Sequence, residues 1–318
     1  MEKRFWSGIN KYTNVFGIGC WQIAGNYYYN GVPNGWGNVD KNQAIDLLCY
    51  AMNNGIDFYD TAQGYNFGQS ELLLGEAIKQ TRKRVVICTK ISLTENEINQ
   101  KKIGLDFKSR VFKSLENLAV PCIDILLIHN PPDDLNWKEF NYDIIQEIID
   151  ENIIGTFGIS SKSLKGAINA IENNVGTTLE WVFNLFERRP IEELFPILRS
   201  KKMNFIARSP LSRGLINPLY ISDDPIFYSD DFRSTLPKEW ISWVINSLRI
   251  YHSNGVPADE LVKNALLFCS HFKEVNSVIV GIKTQKQLEH YLTISKNTET
   301  EFQMEKLLNT PIFYPKWA

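Results

Sequence analysis

The chain has no run of about 18 consecutive apolar residues, so it offers no candidate for a membrane-crossing helix. Its opening residues, MEKRFWSGIN, lack the apolar stretch of a signal peptide. Cysteine is sparse and unpaired: Cys20, Cys49, Cys88, Cys122 and Cys269 are scattered and odd in number, with no CxxC and no histidine at metal-ligand spacing. Free thiols in a reducing, cytoplasmic compartment are expected, and neither a disulfide framework nor a metal site. Net charge is nearly absent as well. With 34 Lys+Arg against 36 Asp+Glu the balance is -2, too little to draw the protein to nucleic acid or an anionic membrane. Any anionic ligand must be held locally. Finally, the first apolar segment continues as GIGCWQIAG, which lacks the GxGxxG spacing that a doubly wound dinucleotide fold would favour after its first strand.

What is present is an ordinary globular composition, 44% hydrophobic and 22% charged over 318 residues, a length that α/β barrels reach with insertions. One domain over 1–318 is expected. VFGIGCW (15 to 21) reads as a short strand, and a helix follows from an Asp40 cap with Ala44, Leu47, Leu48, Ala51 and Met52 on one face. Strands at 56 to 60, 84 to 89, 123 to 129, 155 to 160, 179 to 185 and 203 to 209 then alternate with helices at 69 to 80, 107 to 119 capped by Asp106, 138 to 151, 163 to 173 and 191 to 201. A long polar and aromatic loop from about Leu215 to Lys238 breaks the rhythm. Helices at about 237 to 251 and 258 to 270, a strand at 277 to 281 and a helix from Gln285 complete the series. Such alternation means parallel pairing with right-handed crossovers, and eight βα units close a (β/α)8 TIM barrel, here with additional helices and a long loop before the last strand.

Four polar residues stand at or just past the ends of these strands: Asp60, Tyr65, Lys90 and His129. Each alone has an ordinary explanation as a turn residue, a rim aromatic, a solvated lysine or a histidine satisfying a carbonyl. In a parallel barrel, however, strand ends share one mouth, so an acid, a phenol, an amine and an imidazole remote in sequence meet there. That is a proton-transfer site.

The segments DTAQGYNFGQSELLLG (60 to 75), LLIHNPP (126 to 132), GTFGIS (155 to 160), ARSPLSRG (207 to 214) and GIKTQKQLE (281 to 289), with Lys90 at its strand end, together resemble the aldo-keto reductase superfamily, most of all its bacterial short-loop members. The resemblance runs in order over nearly the whole chain. It implies a barrel that binds a nicotinamide cofactor, usually NADPH, and reduces an aldehyde or ketone, a small-molecule carbonyl substrate of sugar type among the options. It also implies that Asp60, Tyr65, Lys90 and His129 form the catalytic tetrad. Carbonyl reduction creates an alkoxide that needs a proton; Tyr65 is the candidate acid, Lys90 the cation favouring its phenolate, Asp60 the partner holding Lys90, and His129 the donor to the developing oxyanion.

For the cofactor, the resemblance implies Trp21, Ser160, Ser161, Glu180, Arg208, Ser209, Leu211, Gly214, Gly281, Lys283, Thr284 and Gln287. Three positions depart from the family's pattern: Ser161 replaces an asparagine, Glu180 a glutamine, and Tyr291 an asparagine at the adenine end, where stacking would replace a hydrogen bond. Ser160, Ser161 and Glu180 are expected at the carboxamide, and Arg208 stacked on the nicotinamide. The SPLSRG segment is expected under the pyrophosphate, and Lys283 with Thr284 at a helix N-terminus toward a 2′-phosphate. Aromatic residues Tyr27, Tyr28, Tyr29, Trp36, Phe67, Trp137, Phe227, Tyr228 and Phe232 are expected in mouth loops, with Trp21 among them. Two rival functions stay open, a cofactor-binding regulatory or scaffold barrel with little turnover and an isomerase or lyase using Lys90 as a Schiff base. The oligomeric state is not legible.

Overall fold

A computed structural model describes residues 1–296; the remainder of the expected domain, 297–318, lies outside the described residues. Eight parallel strands close a barrel: β1 (Phe16–Gly19), β2 (Phe58–Asp60), β3 (Val86–Ile91), β4 (Ile123–His129), β5 (Ile154–Ser160), β6 (Thr178–Val182), β7 (Asn204–Arg208) and β8 (Val275–Gly281). Each pairs with its sequence neighbour, and β8 returns to β1. The fold class read from the sequence is the one observed. Among the described residues no helix is long and apolar enough to cross a membrane.

Alternation along the strands decides what faces the axis. On β3, Val86 and Cys88 join an inner cluster with Phe58, Ile125, Leu127, Ile206 and Ile279, while Ile87 and Ile91 face the helices. Two residues beyond Cys88, Lys90 therefore points inward as well. By the same period Asp60 follows Phe58, and His129 follows Ile125 and Leu127.

The floor of the barrel is absent from the sequence reading. Lys3–Trp6 and Lys11–Asn14 pair as an antiparallel hairpin. Trp6, fully buried, stacks on Phe58 with centroids 4.9 Å apart and planes 4° apart, and its indole donates to Thr13 Oγ1 at 2.7 Å. This plug closes the end opposite the mouth. A second hairpin, Tyr28–Tyr29 with Val32–Pro33, and a short helix, Glu95–Gln100, also lie outside the strands and helices expected from the sequence.

Several expected boundaries move for local reasons. The helix expected at 107 to 119 spans Leu105–Leu118 with Gly104 at its N-cap; Asp106 sits in the first turn and pairs with Arg110 at 3.0 Å. The helix expected at 138 to 151 is only Asp143–Asp150, because Asn141 exchanges backbone hydrogen bonds with Lys101 and Ile103 and its Oδ1 accepts from the Asp143 amide. Strand β6 stops at Val182, where Asn184 Oδ1 accepts from the amides of Phe186 and Glu187 and turns the chain. The helix expected at 191 to 201 is split at Leu194 into Pro190–Glu193 and Phe195–Lys201, just ahead of Pro196, which has no amide to donate. In the long loop two 3-10 turns, Pro218–Ile221 and Phe232–Thr235, give partial order.

Candidate active site

Strand register assembles the mouth. Gly281, Gly19 and Asp60 lie level across β8, β1 and β2, and His129, Ser160 and Glu180 lie level across β4, β5 and β6. At the centre the fully buried Lys90 ammonium donates to both carboxylate oxygens of Asp60, at 2.7 and 2.6 Å, to the carbonyl of Thr61 at 2.9 Å, and to the hydroxyl of Tyr65 at 3.4 Å. The edge of the His129 ring meets the Tyr65 ring, centroids 5.9 Å apart at 83°. All four residues expected to converge are together.

Their environment sets their protonation. The Asp60 and Glu180 carboxylates outweigh burial at Lys90 and hold its ammonium well above the usual lysine range. Burial, then Glu180, push the Asp60 carboxyl upward against the pull of Lys90. Burial also keeps the Tyr65 phenol protonated far above its ordinary range, with Lys90 opposing. Burial and the cations Lys90, Arg208 and Lys162 hold His129 well below the usual histidine value, so its imidazole is neutral near pH 7 and has one N–H to donate. Cys88 Sγ and single oxygens of Asp60 and Glu180 lie within 4.8 Å of one another, a metal-like grouping, yet the Lys90 ammonium already lies against both carboxylates.

From this centre a cavity of about 640 Å³ runs over β8 toward the loop after β7, lined by Trp21, Glu180, Arg213, Gly281, Lys283 and Gln287 among others. Asp60 and Tyr65 lie at one end of its lining; Ser209, Leu211, Gly214 and Thr284 belong to the rest. Gly281 makes room for the Gln22 side chain, which a Cβ there would meet at 1.9 Å. Two observations fit a dinucleotide. Glu180 Oε2 is buried and makes no hydrogen bond, with the Lys90 ammonium 3.3 Å away. Ser209, Ser212, Arg213 and Gly214 all take positive φ, of 55, 48, 57 and 77°, a backbone curled like the concave amide nests that bind anions.

Other expected contacts are arranged differently. Ser160 Oγ donates to Glu180 Oε1 at 3.1 Å, while Ser161 spends its hydroxyl proton on the carbonyl of Ser163 at 2.8 Å. Arg208 donates to the carbonyl of Ser161 at 3.0 Å. The helix N-terminus at Thr284 is not an open anion site, because Gln287 Oε1 accepts from the amides of Lys283 and Thr284 at 2.9 and 3.3 Å while Thr284 Oγ1 accepts from Gln287. This capping box occupies both residues read as phosphate and adenine contacts. The Lys283 ammonium is itself engaged, donating to the carbonyl of Trp36. Tyr291 is turned into the core, edge-on to Phe16, with its hydroxyl donating to the Gly17 carbonyl at 2.8 Å, so its ring face is not offered to adenine.

Among the aromatics, Trp21 lies nearly parallel to Tyr65, centroids 5.7 Å apart, and contacts Trp36 and Phe232. Tyr28, Tyr29, Phe67 and Tyr228 are exposed, whereas Trp137 is buried on Phe140 and serves the core. Arg213 and Arg233, both lining the cavity, escape the sequence reading. Burial and the nearby Arg208 push the Arg213 guanidinium down to about 10, a bias that a bound anion would relieve. Its signal is present in the sequence, an arginine inside the very SPLSRG segment assigned to a pyrophosphate. Gln22 offers no such signal.

Fold and site together define a β/α barrel whose mouth joins a buried lysine–aspartate pair, a protonated phenol and a neutral imidazole to a long cavity. The chain belongs to the Aldo/keto reductase family, whose model matches residues 16–308, a family of NAD(P)H-dependent oxidoreductases. It is 30% identical over 226 residues to the aldo-keto reductase YhdN of Bacillus subtilis, a match covering 70% of this chain and 65%, just under two thirds, of that relative. It is 26% identical over 309 residues to a probable voltage-gated potassium channel subunit beta of Arabidopsis thaliana, covering 89% and 87% of the two chains. The holo form of an aldo-keto reductase from Bacillus halodurans has the same fold, with a TM-score of 0.75 over 98% of each chain at 20% identity.

Proposed function

We propose that this protein reduces an aldehyde or ketone to an alcohol at the expense of NADPH, with Tyr65 as proton donor. The observation that carries the reading is the Tyr65 hydroxyl 3.4 Å from the Lys90 ammonium, at one end of a cavity of about 640 Å³. NADPH would supply the hydride. Ser160 and Glu180 would meet its carboxamide, Arg213 and the curled 209–214 backbone its pyrophosphate, and Lys283 its 2′-phosphate. Tyr65 gives its proton to the alkoxide oxygen, Lys90 stabilises the phenolate left behind, and His129 orients the carbonyl through its single N–H. Asp60 holds Lys90 charged and in place. The exposed aromatic rings of Tyr28, Tyr29, Phe67 and Tyr228 suit the apolar faces of a sugar-type carbonyl. Free thiols at all five cysteines support a reducing, cytoplasmic setting.

The Schiff-base alternative loses ground on the same site, since an amine nucleophile needs a depressed pKa and Lys90 is held protonated. The scaffold reading draws on the likeness to a potassium channel subunit and on the departures at Ser161, Glu180 and Tyr291. Steady-state oxidation of NADPH with a panel of sugars, aldehydes and ketones separates the two. Turnover that falls by about 100-fold or more in Tyr65→Phe supports the reductase; no turnover with any carbonyl, or equal turnover in the variant, sinks it.

A further inference from the structure

We infer that Glu180 makes this site discriminate between the two redox forms of its cofactor, favouring the oxidised, cationic nicotinamide over the neutral reduced one. The inference rests on the proposed reading of the cavity and adds to it a charge that a glutamine at this position would not carry.

The local charge count motivates it. Lys90 is a single ammonium facing two carboxyls, Asp60 at 2.6 Å and Glu180 at 3.3 Å. The other polar groups in contact, the Tyr65 phenol, the Cys88 thiol and the His129 imidazole, are neutral. Two carboxyls thus face one ammonium, and Glu180 pushes the Asp60 carboxyl upward. The opposing cation is Arg208, but its Nε stands 3.9 Å from Glu180 Oε1, its side chain is 21% exposed, and a guanidinium nitrogen is spent on the Ser161 carbonyl. Water screens it as it does not screen the wholly enclosed Lys90.

Geometry brings Glu180 beside the reacting ring. Proton and hydride add to the oxygen and carbon of one carbonyl, so the hydride donor must lie within a few ångströms of the Tyr65 hydroxyl. Glu180 lines the same end of the cavity, 1% exposed, with Ser160 fixing Oε1 and the Lys90 ammonium 3.3 Å from Oε2, a contact made without a hydrogen bond. A carboxylate so placed attracts the formal positive charge of the oxidised ring and gains nothing from the reduced one. In a low-dielectric pocket that difference is large.

The test is titration of wild type and Glu180→Gln with NADP+ and with NADPH, read by quenching of tryptophan fluorescence. The substitution keeps shape and the Ser160 contact while removing charge. NADP+ affinity should fall about tenfold or more relative to NADPH affinity. An unchanged ratio, or a shift the other way, overturns the inference. Should Glu180→Gln fail to fold, Arg208→Gln carries the test: removing the opposing cation should tilt the ratio further toward NADP+, and no tilt overturns it. Failure of the wild type to bind either form would instead remove the reading of the cavity itself.

Discussion

The Lys90 ammonium meets both oxygens of Asp60 within 2.7 Å in a site closed to solvent. Removing one partner of such a pair strands the other. Lys90→Met should lower the hydride-transfer rate by orders of magnitude while leaving NADPH affinity nearly intact, and should cost about 3–5 kcal/mol of stability near pH 7. The stability loss has a sign in pH. Burial raises the folded-state pKa of Asp60, and without Lys90 nothing pulls it back. A raised carboxyl contributes stability below its unfolded value, lost as pH rises through the folded one. Urea unfolding should show the gap to wild type narrowing on acidification; a gap independent of pH refutes this account of the pair.

His129 titrates in the opposite sense. Its folded pKa is held well below 6.5 by burial and by Lys90, Arg208 and Lys162, so the unfolded chain takes a proton that the folded chain refuses. Stability is thus present above about pH 6.5 and falls by up to about 1.4 kcal/mol per unit below it. Asp57 and Glu71, both raised by burial, push the other way, so the comparison must be between variants. Between pH 7 and 5.5, His129→Asn should lose less stability than wild type in chemical denaturation. Parallel losses would show that His129 is not the group responsible.

The Trp6 plug separates folding from chemistry. Truncating a buried indole stacked on Phe58 should cost about 3–5 kcal/mol. Because the hairpin closes the end opposite the mouth, Trp6→Ala should lower the thermal midpoint yet leave kcat and KM for the carbonyl near wild type at temperatures where it stays folded. A large change in kcat would show that floor and mouth are coupled.

How much of this was legible follows from what each feature depends on. The eight strands and the inward placement of Asp60, Lys90 and His129 depend on a period of two within short apolar runs, which the sequence displays directly. The Trp6 hairpin is polar on one side and covers a barrel end, so its residues carry no run long enough to be read as strands. The split ahead of Pro196 and the Asn184 turn are single-residue effects inside apolar stretches, where periodicity outvotes one proline or asparagine. At the site, the capping use of Gln287 and the inward turn of Tyr291 are rotamer choices fixed by neighbours from other elements, Lys283 and Thr284 in one case and Gly17 and Phe16 in the other. No linear pattern encodes them.

Lys283 is where a second state of the site can be read from the first. Its ammonium donates to the carbonyl of Trp36, tying the last strand's exit to the loop that carries Trp36, and burial pushes its pKa downward, with Asp231 opposing. A 2′-phosphate entering here would have to take the ammonium from that carbonyl, a trade that favours the dianion because a charge-assisted contact replaces a neutral acceptor. The capping box leaves the Lys283 and Thr284 amides already satisfied, so the side chain, not the helix end, must carry the discrimination. Lys283→Ala should therefore weaken NADPH by roughly 10–100-fold, the worth of one hydrogen bond to a charged group. NADH, which lacks the phosphate, should change little. Calorimetric titration of both cofactors decides the matter: equal weakening would mean that Lys283 acts through the Trp36 loop and not through the phosphate.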